Sequence, residues 1–243
     1  NAGPYDPETV ESFEFGIKTI WANNTFQFNA SAFTVDYTDK QEQVVTPGDG
    51  SIVVNGVPQN CGTTCTFIRN AGSVTIDGIE IEGTDRATEA LTFRTAIGFL
   101  DSKYDVFEYD GVNVASNAVV PFAPDMTASL SWEYRSEVES GELIFAGTFS
   151  TKDDYMGRYD PAAYIFGPGA DLNVEGESKL DLSLTYNRDT ANGGSMKITI
   201  FGNDILEEGG YLVRPLDAGA FAFATPQKSQ HFGISLGAVS YTH

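Results

Sequence analysis

The sequence predicts an all-β fold, an antiparallel up-and-down meander of about nine strands. Three observations carry this. Helical periodicity is nearly absent while two-residue alternation runs through the chain. The connections are alternately short and long. Aromatic residues recur on one face, next to the short connections.

The strands follow in order. In 13–21, Phe13, Phe15, Ile17 and Trp21 alternate with Glu14, Gly16 and Lys18. In 25–32, Phe26, Phe28, Ala30 and Ala32 alternate with Thr25, Gln27, Asn29 and Ser31. A third strand is expected over Val74 to Gly83, with weaker alternation. In 91–99 the apolar set is Leu91, Phe93, Ile97 and Phe99. In 126–135 it is Met126, Ala128, Leu130, Trp132 and Tyr134. Glu142 to Ser150 forms a less regular strand. In 179–187, Leu180, Leu182, Leu184 and Tyr186 face away from Lys179, Asp181 and Ser183. Ser195 to Asn203 is again less regular, and Phe232, Ile234, Leu236 and Ala238 close the series. Each strand thus has an apolar and a polar face.

The links 22–24, 84–89, 137–140 and 188–194 are short. The links 46–71, 102–125, 151–175 and 204–229 are long. Such a meander has two unlike ends. Greek-key sandwiches do not usually give so regular a pattern, whereas outer-membrane barrels do. Trp21, Trp132, Tyr134 and Tyr186 share the apolar face beside short turns, as a membrane-interface girdle would. The opposite face carries Lys18, Arg94, Glu133, Arg135, Lys179 and Asp181. A barrel would turn that face to its lumen; a sandwich would turn it to water. The girdle and the turn asymmetry favour the barrel.

Charge narrows the partners. There are 34 acidic and 14 basic residues, a formal charge of −20, which excludes a nucleic-acid partner. With 41% hydrophobic and only 20% charged residues, the chain is expected to fold. No apolar run approaches the 18 residues of a membrane helix, which leaves strands as the only way across. Asn1-Ala2-Gly3-Pro4 lacks the basic start and apolar core of a signal peptide and lacks Met. A processed chain, a truncated one or a fragment is expected. Cys61 and Cys65 read as a disulfide across a loop tip in an oxidising compartment, free thiols being the alternative.

Five segments resemble the TonB-dependent outer-membrane receptors. Pro7-Glu8-Thr9-Val10-Glu11-Ser12-Phe13-Glu14-Phe15-Gly16-Ile17-Lys18-Thr19 is similar to that family's Pro-Glu…Glu-x-Gly-x-Lys strand. Phe26–Asp39 looks like its next strand. Asn70-Ala71-Gly72…Gly78-Ile79-Glu80-Ile81-Glu82 resembles its Asn-x-Gly…Gly-x-Glu-x-Glu strand. Pro121-Phe122-Ala123-Pro124-Asp125-Met126-Thr127 resembles its Ala-Pro-x-x-Thr strand entry, and Phe201-Gly202-Asn203-Asp204-Ile205-Leu206 a variant of its Asn-Leu-x-Asp segment.

The resemblance implies that residues 1–243 are the C-terminal portion of a 22-stranded transmembrane β-barrel, strands 14 to 22. The N-terminal plug and the early strands would then be absent from this chain. It implies a bacterial outer membrane, with its lipid as a partner. It also implies uptake of a scarce small-molecule nutrient: a ferric siderophore or other chelate, cobalamin or an oligosaccharide. A TonB-type energy-transducing complex would act through the missing part, with no cofactor and no enzymatic activity. The end departs from the family, since Ser240 holds the phase where an aromatic residue is usual. The rival reading is a secreted β-sandwich or lectin-like binding domain, and a third is a passive porin segment.

The long links supply the binding candidates. Tyr104, Phe107 and Tyr109 form one group, and Tyr155, Arg158, Tyr159, Tyr164 and Phe166 another. Aromatic rings beside a few polar groups suit a flat or sugar-like ligand, and loops packed on each other would use the same residues. Acidic residues there could hold Ca²⁺, with no diagnostic spacing. Gly233-Ile234-Ser235-Leu236-Gly237 matches Gly-x-Ser-x-Gly, but no acid follows it, so a terminal strand is expected instead of a nucleophile elbow. His231 reads as a rim residue, Gly167-Pro168-Gly169 as a turn. No metal site is predicted.

Overall fold

The computed structural model describes residues 5–54, 57–109, 112–157, 173–190, 193–206, 211–213, 225–226 and 230–239. Nine long strands are present among them: β1 (Thr9–Trp21), β2 (Phe26–Val54), β3 (Val57–Asp85), β4 (Leu91–Tyr109), β5 (Met126–Val138), β6 (Gly141–Lys152), β7 (Glu177–Asp189), β8 (Ser195–Asn203) and β9 (His231–Val239). Each pairs antiparallel with the next in chain order, in one continuous sheet. This is the expected meander.

Register explains why the alternation is so clear. A side-chain period of two lets one row of residues share a face across many strands. Ile17 pairs with Ala30, Ala30 with Ile81, Ile81 with Ile97 and Ile97 with Ala128. Further along, Leu184 pairs with both Phe145 and Ile200, and Ile200 with Ile234. The apolar set is therefore one uninterrupted surface from β1 to β9. Nothing in the described residues covers it. Phe13 is 72% exposed and Leu236 76%.

The short turns follow from local chemistry. Ala22, Asn23 and Asn24 all take positive φ, where asparagine costs least. Gly147 lies on the apolar face between Trp132 and Leu182; a Cβ there would collide with the indole and come within 2.8 Å of Leu182. The missing side chain is what lets Trp132 lie flat across β6.

Two expectations about the long links are corrected. Residues 46–71 are not an irregular connection. β2 and β3 stay paired through them to Val54 and Val57, as a two-stranded ribbon. β4 likewise runs ten residues past Phe99, to Tyr109. Regular apolar alternation stops in these extensions although the backbone pairing continues.

The disulfide Cys61–Cys65 is present, with Cα atoms 5.3 Å apart. It does not cross the tip of a loop. Both cysteines belong to β3, where a straight strand would hold them roughly 13 Å apart. The register accounts for the difference. Pro47 and Asp49 of β2 face Thr64 and Asn60 of β3, so two steps oppose four. The disulfide closes that bulge, and Gly62 inside it takes φ +90°.

The buried core is small and off-centre. Val74, Tyr104, Phe107 and Val120 pack together on the polar-face side at the long-link end. Tyr37, Ile76, Val114 and Ala118 pack around them. The β4–β5 link supplies the cover: Val112–Asn113 folds back onto Glu108–Tyr109, and a 3₁₀ turn at Ala115–Asn117 follows. Asn113 shapes this return, its Oδ1 accepting from the N–H groups of Phe107 and Ala115.

Candidate ligand entrance and inner wall

The binding candidates divide by element. Tyr104 and Phe107 are in the core, 5% and 2% exposed, ring to edge at 4.8 Å. The Tyr104 hydroxyl donates to Glu42 Oε1 at 2.6 Å. Neither ring offers a face to solvent, so packing between links accounts for both. Tyr109 ends β4 opposite Val112. Tyr155 is half-buried in a two-residue strand paired with Asn173–Val174. Arg158, Tyr159, Tyr164 and Phe166 lie outside the described residues, as does the turn expected at Gly167-Pro168-Gly169.

Around Tyr155 the entrance has a defined geometry. Phe122, 59% exposed, lies 6.1 Å from it between ring centroids. The Lys152 ammonium sits 5.1 Å from the Tyr155 centroid, within cation–π range. The Phe122 N–H donates to Met156 O at 2.8 Å, which ties the β4–β5 link to the β6–β7 link. Phe122 holds φ +60°, a costly conformation for an aromatic residue. Sequence reasoning places Phe122 in a strand-entry motif and misses its exposure. Only the contact across the two links reveals it.

The polar face is organised by ion pairs and hydroxyl pairs. Glu177 Oε1 accepts from Lys152 at 2.7 Å and Lys179 at 3.1 Å. Glu177 opens β7 three residues before Leu180, the first of the apolar set. The two ammonium groups offset the cost of burying this carboxylate. Glu80, Glu82, Ser129 and Ser150 line the same groove. Arg135 bridges Glu133 at 2.9 Å and Glu142 at 3.1 Å. Ser131 meets Thr148, and Thr185 meets Thr199, across neighbouring strands. These pairs join polar groups across the sheet and leave a charged wall.

The aromatic residues at the short-turn end stay on the apolar face. Trp21 and Tyr134 are exposed. Tyr186 donates its hydroxyl to the backbone oxygen of Ser140 at 2.9 Å, next to the β5–β6 turn. That combination of apolar ring and anchored polar tip suits an interface.

The remaining motifs resolve into framework. Asn70 Nδ2 donates to Asp6 O at 2.8 Å and Asp39 O at 2.6 Å, while its Oδ1 accepts from Asp6 N–H at 2.7 Å. Glu8 Oε2 accepts from Gln41 N–H at 3.1 Å. A Cβ on Gly72 would collide with Val106 O, and one on Gly78 with the Phe33 ring. Ser235 lies inside β9 opposite Thr199, not at a strand-to-helix turn. His231 Nε2 accepts from Asn203 Nδ2 at 3.0 Å, in the tautomer that pairing requires. Among the described residues no three His, Cys, Asp or Glu side chains converge as a metal site.

One sheet, apolar throughout one face and charged on the other, with long links at a single end, defines a segment of a transmembrane β-barrel wall. Solved structures agree in fold. The chain superposes on the ferric yersiniabactin uptake receptor FyuA from Yersinia pestis with a TM-score of 0.70 at 17% identity, covering 99% of this chain and 31% of that one. It superposes on BauA, the ferric preacinetobactin receptor from Acinetobacter baumannii, with a TM-score of 0.64 at 17% identity, covering 96% and 30%. The copper transporter OprC gives 0.62 at 15% identity, covering 96% and 31%. The chain thus spans less than a third of the length of these proteins. The family model for TonB dependent receptor-like β-barrels matches residues 1–203. The chain belongs to this family, one of receptors and transporters of the bacterial outer membrane and not of enzymes.

Proposed function

We propose that this chain is the C-terminal portion of the barrel of a TonB-coupled receptor that takes up a scarce nutrient. The observation that carries this is the uninterrupted apolar face from β1 to β9, with no second sheet over it among the described residues. A secreted sandwich would bury that face in a shared core; here the core is a small cluster at one end. Nine strands with two open edges cannot stand alone in lipid, where every backbone group needs a partner. A plug and earlier strands from the same receptor would complete the wall, and coupling to a TonB-type complex would pass through them.

In this reading the apolar face meets outer-membrane lipid, with Trp21, Trp132, Tyr134 and Tyr186 as the girdle. The charged face lines the lumen. The long links form the external mouth, where Tyr155, with Phe122 and Lys152, contacts a small-molecule nutrient. Tyr109, Arg158, Tyr159, Tyr164 and Phe166 are the further candidates at that mouth. Tyr104 and Phe107 brace it from beneath. The chain binds and guides; it catalyses nothing and needs no cofactor. Its structural neighbours are named for ferric chelates and for copper, and a metal chelate is the cargo class we favour.

The test is uptake by cells expressing the complete receptor as their sole route for a ferric chelate panel. Dependence of accumulation on both the receptor and an intact energy-transducing complex supports the reading. Accumulation that persists without the energy-transducing complex would instead indicate a passive pore.

A further inference from the structure

The wall changes character along one line. Between Tyr37 and Lys40, β2 spends three steps where β3 spends two. Between Lys40 and Gln41, β3 spends two steps where β2 spends one. Between Val74 and Ser73, β4 spends two steps, from Tyr104 to Val106, where β3 spends one. Three adjacent strands therefore each carry one extra residue at the same level. Bulges interrupt the ladder and bend a strand. Asp39, at the β2 bulge, takes φ +55°.

Below this line β2 and β3 have neighbours on both sides. β1 joins β2 as far as Thr38, and β4 joins β3 as far as Gly72. Above it, Gln41–Val54 and Val57–Asn70 pair only with each other. The ribbon would rise roughly 40 Å at full extension. A two-stranded ribbon has little stability of its own, so its pose depends on what holds its base.

Side chains cross the line from both flanks. From β4, Tyr104 Oη reaches Glu42 Oε1, which Lys40 Nζ also contacts. From the segment before β1, Asp6 and Glu8 hold Asn70 and Gln41. These are side-chain contacts to residues at the foot of the ribbon, not ladder bonds. They can break without unpairing β2 from β3.

We propose that the β2–β3 ribbon is a hinged arm that pivots at this line of bulges, and that the Tyr104–Glu42–Lys40 set is the latch holding the observed pose. The inference rests on the receptor reading for its biological use. Its mechanics do not depend on that reading. The ring of Tyr104 stays in the core in either pose, because Val74, Phe107 and Val120 pack around it and none of them belongs to the arm. Its hydroxyl engages the arm through Glu42.

The test uses the complete receptor in lipid, with spin labels at V53C on the arm and D101C on the wall. Both positions are exposed. The native latch should give one narrow distance distribution. Tyr104→Phe keeps the ring and removes the hydroxyl; Glu42→Gln keeps the volume and removes the charge. Each should raise the share of a second, displaced distance about tenfold, since a hydrogen bond to a charged group is lost. The double variant should add little to either single, because both break one latch. Heat-modifiable migration confirms that each variant still assembles. A single unchanged narrow distance in both variants would show a rigid mast and overturn the proposal. Because the distance is read without ligand, failure of nutrient uptake would leave this outcome unchanged.

Discussion

Below the bulge line the molecule is a wall, and above it a set of packed links. The wall keeps one rule: apolar residues on one face, polar on the other, in register over nine strands. It needs almost no buried core, because lipid takes the place of one. The region above the line obeys no such rule. It holds itself with a compact cluster, a disulfide and a few side-chain hydrogen bonds. One chain thus uses two stabilising strategies, divided by the solvent each part meets.

The comparison can be broken most strongly in the upper core. Phe107→Ala should cost about 3–5 kcal/mol locally, as large-to-small changes at fully buried aromatic sites do. Hydrogen exchange should accelerate through 112–125 while β7 to β9 keep their protection. Next, Leu182→Arg on the lipid side should cost about 2–4 kcal/mol near mid-membrane, and Ser183→Arg under about 1 kcal/mol. Unfolding titrations in detergent–lipid mixtures would show the difference. Equal costs would mean that the two faces meet the same solvent.

The disulfide should matter less. Replacing Cys61 and Cys65 together with serine should cost at most about 2 kcal/mol, since the loop it closes is short. Exchange should rise in the ribbon and not in β1 or β4. The smallest effect is electrostatic. Lys152→Met leaves Glu177 with Lys179 alone, a loss on the order of 1 kcal/mol because one of the two cationic partners remains. Denaturation of the Lys152→Met variant beside the unaltered chain would check this.

The same division explains what is legible in the sequence. Six wall strands show cleanly in the alternation, as lipid on one side would require, and the strands at Val74–Gly83, Glu142–Ser150 and Ser195–Asn203 show it less regularly. Leu180, Leu182 and Leu184 can hardly be read otherwise. The ribbon reads as a loop because the pairing from Thr46 to Ala71 leaves no regular hydropathy alternation. Bulges at Asp39 and Asp105 also shift the phase, so extrapolation from the wall fails above them. Tyr104 and Phe107 stand in an acidic aromatic stretch that suits a ligand site and a packed link equally. Only the return of Val120 onto Val74 separates the two. The spacing of Cys61 and Cys65 points to their pairing, but their setting inside one strand depends on a register that no local pattern encodes.

The central claim is that the apolar face meets lipid and the polar face does not. Spin labels placed singly from Leu180 to Tyr186 in the complete receptor, reconstituted in bilayers, test it directly. Collision with dissolved oxygen should be high at 180, 182, 184 and 186 and low at 181, 183 and 185, a period of two. A uniform profile, or one with the phase reversed, would contradict it.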